Sequence, residues 1–174
     1  TDEWDLDRQA IVGMAGKVGK LIFYTIPSLS NADQAADFNA IVVANRAQII
    51  DAAIGECETD AQSDGSAAAD DAIFQAAAAQ GQTFSVPAGD VGADECGNGS
   101  NAPSWPAASQ YVIAVAGTNL NANTQQWFNE SVWTGTGGSP SAFEPIPGWQ
   151  TAFGVPGTTR GVPDIAFDGN PDSG

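Results

Sequence analysis

Short apolar runs alternating with helix-forming stretches constrain this chain more than any other feature of its sequence. Residues 20–26, 47–54, 83–86 and 111–115 are strand candidates, and residues 3–15, 31–45 and 66–80 read as helices set among them. Strand, helix, strand in that order builds βαβ units, which run their strands parallel and lay helices over the sheet. The expected fold class is therefore α/β with a mostly parallel central sheet. The first helix carries an uneven stripe of Leu6, Ile11, Val12 and Met14. The second, capped by Asn31, puts Ala35, Phe38, Ile41 and Val42 on one face. The third is alanine-rich, with Ser66 as its cap and Gly81 as its stop. Beyond Gly117 the pattern fades into Asn, Thr, Gly and Pro, with Trp127, Trp133, Phe143 and Trp149 as scattered anchors. Such a tail reads as loops wrapped on another segment. With 174 residues, no repeat and no linker, one domain is expected.

Charge and composition narrow the chemistry. The 21 Asp and Glu against 5 Lys and Arg give a net charge of −16. That surface repels phosphate backbones and anionic lipid, so neither nucleic acid nor membrane is an expected partner. In an acidic medium the carboxylates take up protons and the self-repulsion falls. Histidine is absent from the sequence, which excludes Ser-His-Asp and Cys-His arrangements built from these residues. Two cysteines, Cys57 and Cys96, are too few for a structural zinc site. A disulfide is the better reading and implies an oxidising, secretory compartment; two free buried thiols are the other. Closing that span would stabilise by roughly 4 kcal/mol through chain entropy. No apolar run reaches membrane-spanning length, and neither a signal peptide nor an initiating Met is present. The ends read as processing or cleavage boundaries.

Open parallel sheets bind ligands beyond the carboxyl ends of their strands. Ala53-Ile54-Gly55 and Ala88-Gly89-Asp90 have that placement. A protonated Asp90, held partly out of water, could donate a hydrogen bond to a developing oxyanion. The alternative is a turn aspartate that bonds its own backbone. Glu3 and Asp7 lie four apart on the first helix and so share a face. At about 5 Å and an effective dielectric near 20, their charges repel by roughly 3 kcal/mol, which favours one shared proton. The same acids also suit a helix N-terminus on dipole grounds.

Four segments then occur in one order: Glu3-Trp4-Asp5-Leu6-Asp7 with Ile11-Val12-Gly13; Gly81 to Val86 with Ala88-Gly89-Asp90 and Gly92; Ser104 to Ser109 with Tyr111 to Thr118; and Gly161 to Ala166 with Asp168. Together they resemble the sedolisin family of serine-carboxyl peptidases, specifically its bacterial members. The first is similar to that family's Glu-x-x-x-Asp helix and the second to its oxyanion-aspartate turn. The third and fourth are similar to the segment that follows and to the stretch shortly before the nucleophile. Cys57 and Cys96 fall where bacterial members carry a disulfide.

The resemblance implies a subtilisin-like three-layer fold, present over residues 1–174 as a partial catalytic domain. It implies a secreted endopeptidase working in acid on peptides or denatured proteins. Glu3 would be the general base for a serine, Asp7 would orient it and share its proton, and Asp90 would stabilise the oxyanion. Ala53, Ile54 and Gly55 would pair with substrate on one side and Gly137 and Gly138 on the other, with Ser104 near the S1 pocket. Trp105-Pro106 is a candidate cis peptide. The nucleophilic serine and the ligands of a calcium ion are expected beyond Gly174, on a further segment or a second chain. Two departures stand out: Ala53 where members commonly have serine, and a short glycine run, Thr136-Gly137-Gly138-Ser139. A non-catalytic peptide-binding module of the same family is the alternative. An acidic secreted domain of structural role is a third reading. The sequons at Asn98 and Asn129 would matter only in a eukaryotic secretory pathway.

Overall fold

The expected alternation builds a sheet in the computed structural model, which describes residues 2–173 except the side chain of Asp2. Thr1, Gly174 and that side chain lie outside the described residues. The elements run α1 (Asp2–Met14), α2 (Asn31–Ala44), β1 (Ile49–Asp51), β2 (Glu56–Cys57), α3 (Glu58–Asp64), α4 (Ser66–Ala79) and β3 (Thr83–Pro87). There follow β4 (Ser104–Trp105), β5 (Ile113–Ala122), β6 (Trp127–Val132), β7 (Pro140–Pro145), α5 (Gly148–Ala152), β8 (Thr159–Gly161) and β9 (Ile165–Asp168).

The central sheet is parallel except at one strand. β1 pairs with β3 from Ile49↔Thr83 to Asp51↔Ser85, and β3 pairs with β5 from Ser85↔Ile113 to Pro87↔Val115. Val115 also pairs with Ile165 of β9, so β9 lies on the far side of β5 from β3. Farther along β5, Thr118 pairs with both Asp168 and Val132. The antiparallel β6 therefore takes the side of β5 that β3 has left. This mostly parallel sheet with its crossover helices is the expected α/β, subtilisin-like class.

Helices α2 and α4 cover one face of the sheet. Phe38, Ile41 and Val42 of α2 meet Phe74 and Ala77 of α4 over Ile50, Phe84, Val86 and Ala114. The Phe38, Phe74 and Phe84 rings sit 4.9–5.7 Å apart in tilted and edge-on contacts. Each such pair adds about 1 kcal/mol beyond area burial. A Cys57–Cys96 disulfide, S–S 2.03 Å, ties the start of α3 to the loop after β3. Trp105-Pro106 is cis, and Val162-Pro163 is cis as well.

Four expectations need correction. Residues 20–26 form no strand: the run finds no ladder partner among the described residues, and only its Tyr24 packs against the core. The cap of α2 is Ser30, which accepts the Asp33 N–H at 3.3 Å, so Asn31 is the first helical residue. Ser66 does not cap α4 either; Gly65 sits there at φ 84°, and Asp64 accepts the Ser66 N–H at 2.9 Å. The region beyond Gly117 is not irregular, since it holds half of β5, all of β6 to β9, and α5.

Arg160 organises that last region. Its fully buried guanidinium makes two 2.6 Å contacts to Asp164 and donates to the carbonyls of Gly161 and Ser109. Trp149 lies 5.0 Å beneath it. Asp164 in turn accepts the Ala114 N–H at 2.9 Å. A buried pair of this kind is costly to desolvate but strongly destabilising to break, which fixes β8 and β9 against β5.

Candidate active site

Two strand ends and one helix supply the candidate residues. The acid-rich start of α1 suits the positive end of a helix dipole. One turn apart on it, Glu3 is exposed and Asp7 half-buried. Trp4, between them, stacks on Phe23 at 5.6 Å and clips the helix to the 20–26 segment. Burial, and then the charge of Glu3, push the Asp7 pKa up. The two carboxyls are thus close enough for the charge of Glu3 to act on Asp7.

A third acid joins them. Asp51, the last residue of β1, keeps exposed surface, yet its carboxyl is desolvated enough to raise its pKa, and the charges of Asp7 and Glu3 raise it further. Sequence reasoning absorbed it into an apolar run. The signal was there: an aspartate closing Ile49-Ile50 where a parallel strand ends at a ligand edge. After it, Ala53, Ile54 and Gly55 leave the β1–β3 ladder, with Ala53 and Gly55 exposed. Their backbone is thus outside the sheet's own pairing.

Ser104 lies beneath this segment. It is fully buried, and a Cβ on Gly55 would come within 2.5 Å of its hydroxyl oxygen. Glycine at position 55 is needed for that packing. Ser104 meets the pairing segment from below and presents no exposed hydroxyl.

Asp90 follows the end of β3, the strand next to β1. Ala88 N–H still bonds Val115 O at 2.8 Å, after which Gly89 turns at φ 110° and Asp90 is exposed. Only glycine adopts that backbone freely. The turn is locked from the other side. Gly92 N–H donates to Thr136 O at 3.0 Å and Gly138 N–H to Gly92 O at 2.9 Å. A Cβ on Gly137 would sit 2.7 Å from the Gly89 Cα, so the glycine run presses directly on the Asp90 turn. One edge of residues 137–138 is therefore already paired to the protein, and Gly137 is buried while Gly138 keeps partial exposure. Beside Asp90 a cavity of about 250 Å³ opens between the ends of β3 and β9 and the middle of β5, walled by Trp133 and Phe167 and reaching Asp168.

The structure thus groups Glu3, Asp7 and Asp51 and puts Asp90 on the adjoining strand end. Chemically this is an edge with three neighbouring acids, a fourth acid exposed to solvent, the Ala53-Ile54-Gly55 backbone and the Gly137-Gly138 pair. It lacks a nucleophile among these groups. Among the described residues no three His, Cys, Asp or Glu converge as a metal site.

A model of the subtilase family matches residues 6–146. Sedolisin of Pseudomonas sp. (strain 101) is 45% identical over 95% of this chain and 32% of that protein. Xanthomonalisin of Xanthomonas sp. (strain T-22) is 38% identical over 99% of this chain and 26% of that protein. A solved structure of Pseudomonas sedolisin, a serine-carboxyl proteinase complexed with two molecules of pseudo-iodotyrostatin, superposes with a TM-score of 0.88 at 43% identity. It covers 96% of this chain and 51% of its own. The chain therefore spans about a quarter to a third of these curated relatives and about half of the solved one.

Proposed function

The chain belongs to the subtilase family, on its sedolisin side, and from that premise we propose that the complete protein is a secreted, acid-acting serine-carboxyl endopeptidase. The observation that carries this reading is the grouping of Glu3, Asp7 and Asp51 one strand away from Asp90.

In this mechanism a serine on a segment beyond Gly174 attacks the peptide carbonyl, and Glu3 takes its proton. Asp7 orients Glu3 and holds the shared proton between cycles. Asp90 in its protonated form donates a hydrogen bond to the tetrahedral oxyanion. Protonating these groups takes an acidic medium, which is where a histidine base would be charged and useless. Substrate lies extended between residues 53–55 and residues 137–138, held mainly through backbone hydrogen bonds. The Cys57–Cys96 disulfide and the −16 charge both suit an acidic, oxidising exterior. A calcium ion, proposed by family resemblance, would be held by residues beyond Gly174, and no step passes through it.

The experiment is digestion of a denatured protein by the complete protein at about pH 4. Glu3→Gln is expected to slow cleavage about 10³-fold. A variant as fast as the parent would remove Glu3 from the chemistry. Ala53, in place of the family's usual serine, favours a second reading as a peptide-binding module that does not cut. Retained peptide binding with no cleavage by the parent protein would decide for it.

A further inference from the structure

We propose that Glu95 is a positioning residue of this site, seating the turn that carries Asp90; the inference rests on the peptidase reading above. Nothing in the sequence pattern singles Glu95 out, since it lies in a loop between two glycines. In the fold, its Oε2 accepts the backbone N–H of Asp90 at 3.2 Å. A Cβ on Gly89 would come within 2.7 Å of the Glu95 Cδ, so the carboxylate fills the space a side chain at position 89 would take. Gly89 is thus required twice, for its φ of 110° and for the room it leaves Glu95.

The base of Glu95 is itself held. Its N–H bonds Ala102 O at 3.0 Å, Ala102 N–H bonds Ala93 O at 2.9 Å, and the next residue is the disulfide-bonded Cys96. A rigid strut therefore runs from the disulfide through Glu95 to the Asp90 backbone. Asp90 has an exposed side chain, so its aim depends on its backbone and not on packing around the carboxyl. Misplacing a catalytic group by about 1 Å costs about 10²-fold in rate. A glutamate that merely satisfied a loop N–H would contribute to folding alone.

Steady-state peptide cleavage by the complete protein separates these roles. Glu95→Ala is expected to lower kcat about 10-fold or more while KM stays within about 2-fold. Glu95→Gln keeps an acceptor of the same reach and should retain most of the parent kcat. Amide hydrogen exchange across residues 89–92 should quicken in Glu95→Ala and not in Glu95→Gln. If Glu95→Ala does not fold, Glu95→Asp, one methylene shorter, carries the test with the same expected loss. Parent-like kcat in the alanine or aspartate variant overturns the proposal, as does an equal loss in Glu95→Gln. A parent protein that cleaves and is crippled by Asp90→Ala, with Glu95→Ala at the parent rate, sinks only the strut. A parent protein without cleavage overturns both.

Discussion

At the carboxyl edge of the sheet, Glu3 and Asp90 face solvent and Asp7 is half-buried. On α3 and α4, by contrast, Glu58 is fully buried and Asp70 is 5% exposed. Glu58 accepts hydrogen bonds from the Ser141 hydroxyl and from the Ala142 N–H at 3.2 Å, and burial raises its pKa. Asp70 accepts from the Trp105 indole at 3.0 Å, but its other oxygen has no partner. Burial pushes it up to about 6 against the pull of that hydrogen bond. Asp71 accepts from the Ser109 hydroxyl at 2.5 Å and is raised by burial too. Glu144, on β7, is pushed up to about 7 by burial and by the charges of Asp71 and Glu58, with Arg160 pulling it back. The same residue type thus serves two ends. Edge acids have room to pass a proton to a substrate, whereas buried acids have mainly neutral donors and favour the uncharged form. Activity and stability should therefore depend on pH through different residues.

The sharpest way to break that separation is Asp90→Ala. If the edge acids serve chemistry alone, kcat falls about 10²- to 10³-fold, as for loss of an oxyanion donor, and the unfolding midpoint does not move. A fall in the midpoint of comparable severity would mean Asp90 belongs with the structural acids. Cleavage rates and thermal melts on one preparation decide it.

Next in size is the pH dependence of stability. For Asp70 and Glu144 the folded pKa lies above the ordinary carboxyl value. Their stabilisation is thus complete below the unfolded pKa of about 4, where both states hold the proton. It is lost as pH climbs through about 6 for Asp70 and about 7 for Glu144. The complete protein should melt roughly 5 °C lower at neutral pH than in acid from these groups. Asp70→Asn with Glu144→Gln should flatten that slope. An unchanged slope in the double variant would assign the effect to surface repulsion.

How far the sequence revealed this arrangement depends on the distance over which each feature is decided. The α4 helix, the β3 strand and the Glu3–Asp7 spacing rest on neighbours within a few residues, and periodicity was enough to find them. Asp90 was found because a glycine after an apolar strand marks a ligand edge. Capping was misjudged by one residue at Asn31 and Ser66, since Ser30 and Gly65 compete for the same local role and only backbone angles decide. The region past Gly117 was hidden for a different reason. Its order comes from Arg160, which reaches the Ser109 carbonyl 51 residues back, and from ladders that β5 makes with β6 and β9. No local pattern encodes such contacts. Asp51 and Glu95 were missed because their partners, Asp7 and the Asp90 N–H, are brought to them only by folding.

The smallest predicted effect tests whether Asp51 belongs to the edge group at all. Burial, and then the charges of Asp7 and Glu3, push its pKa up, so its titration is coupled to theirs. Three coupled acids lose their last proton at a higher pH than two would. Asp51→Asn removes one negative charge while keeping the shape, so Asp7 faces less repulsion and releases its proton at lower pH. The alkaline limb of the kcat profile should accordingly move to lower pH, by about half a unit, with little change in the maximal rate. A melt of the same variant should hold at acid pH and gain slightly at neutral pH, where the desolvated Asp51 charge is removed. A limb that stays where it was would confine the proton sharing to Glu3 and Asp7. A shift to higher pH would mean that Asp51 stabilises the charged form of its neighbours through some other contact, and the edge would then need to be redrawn without it.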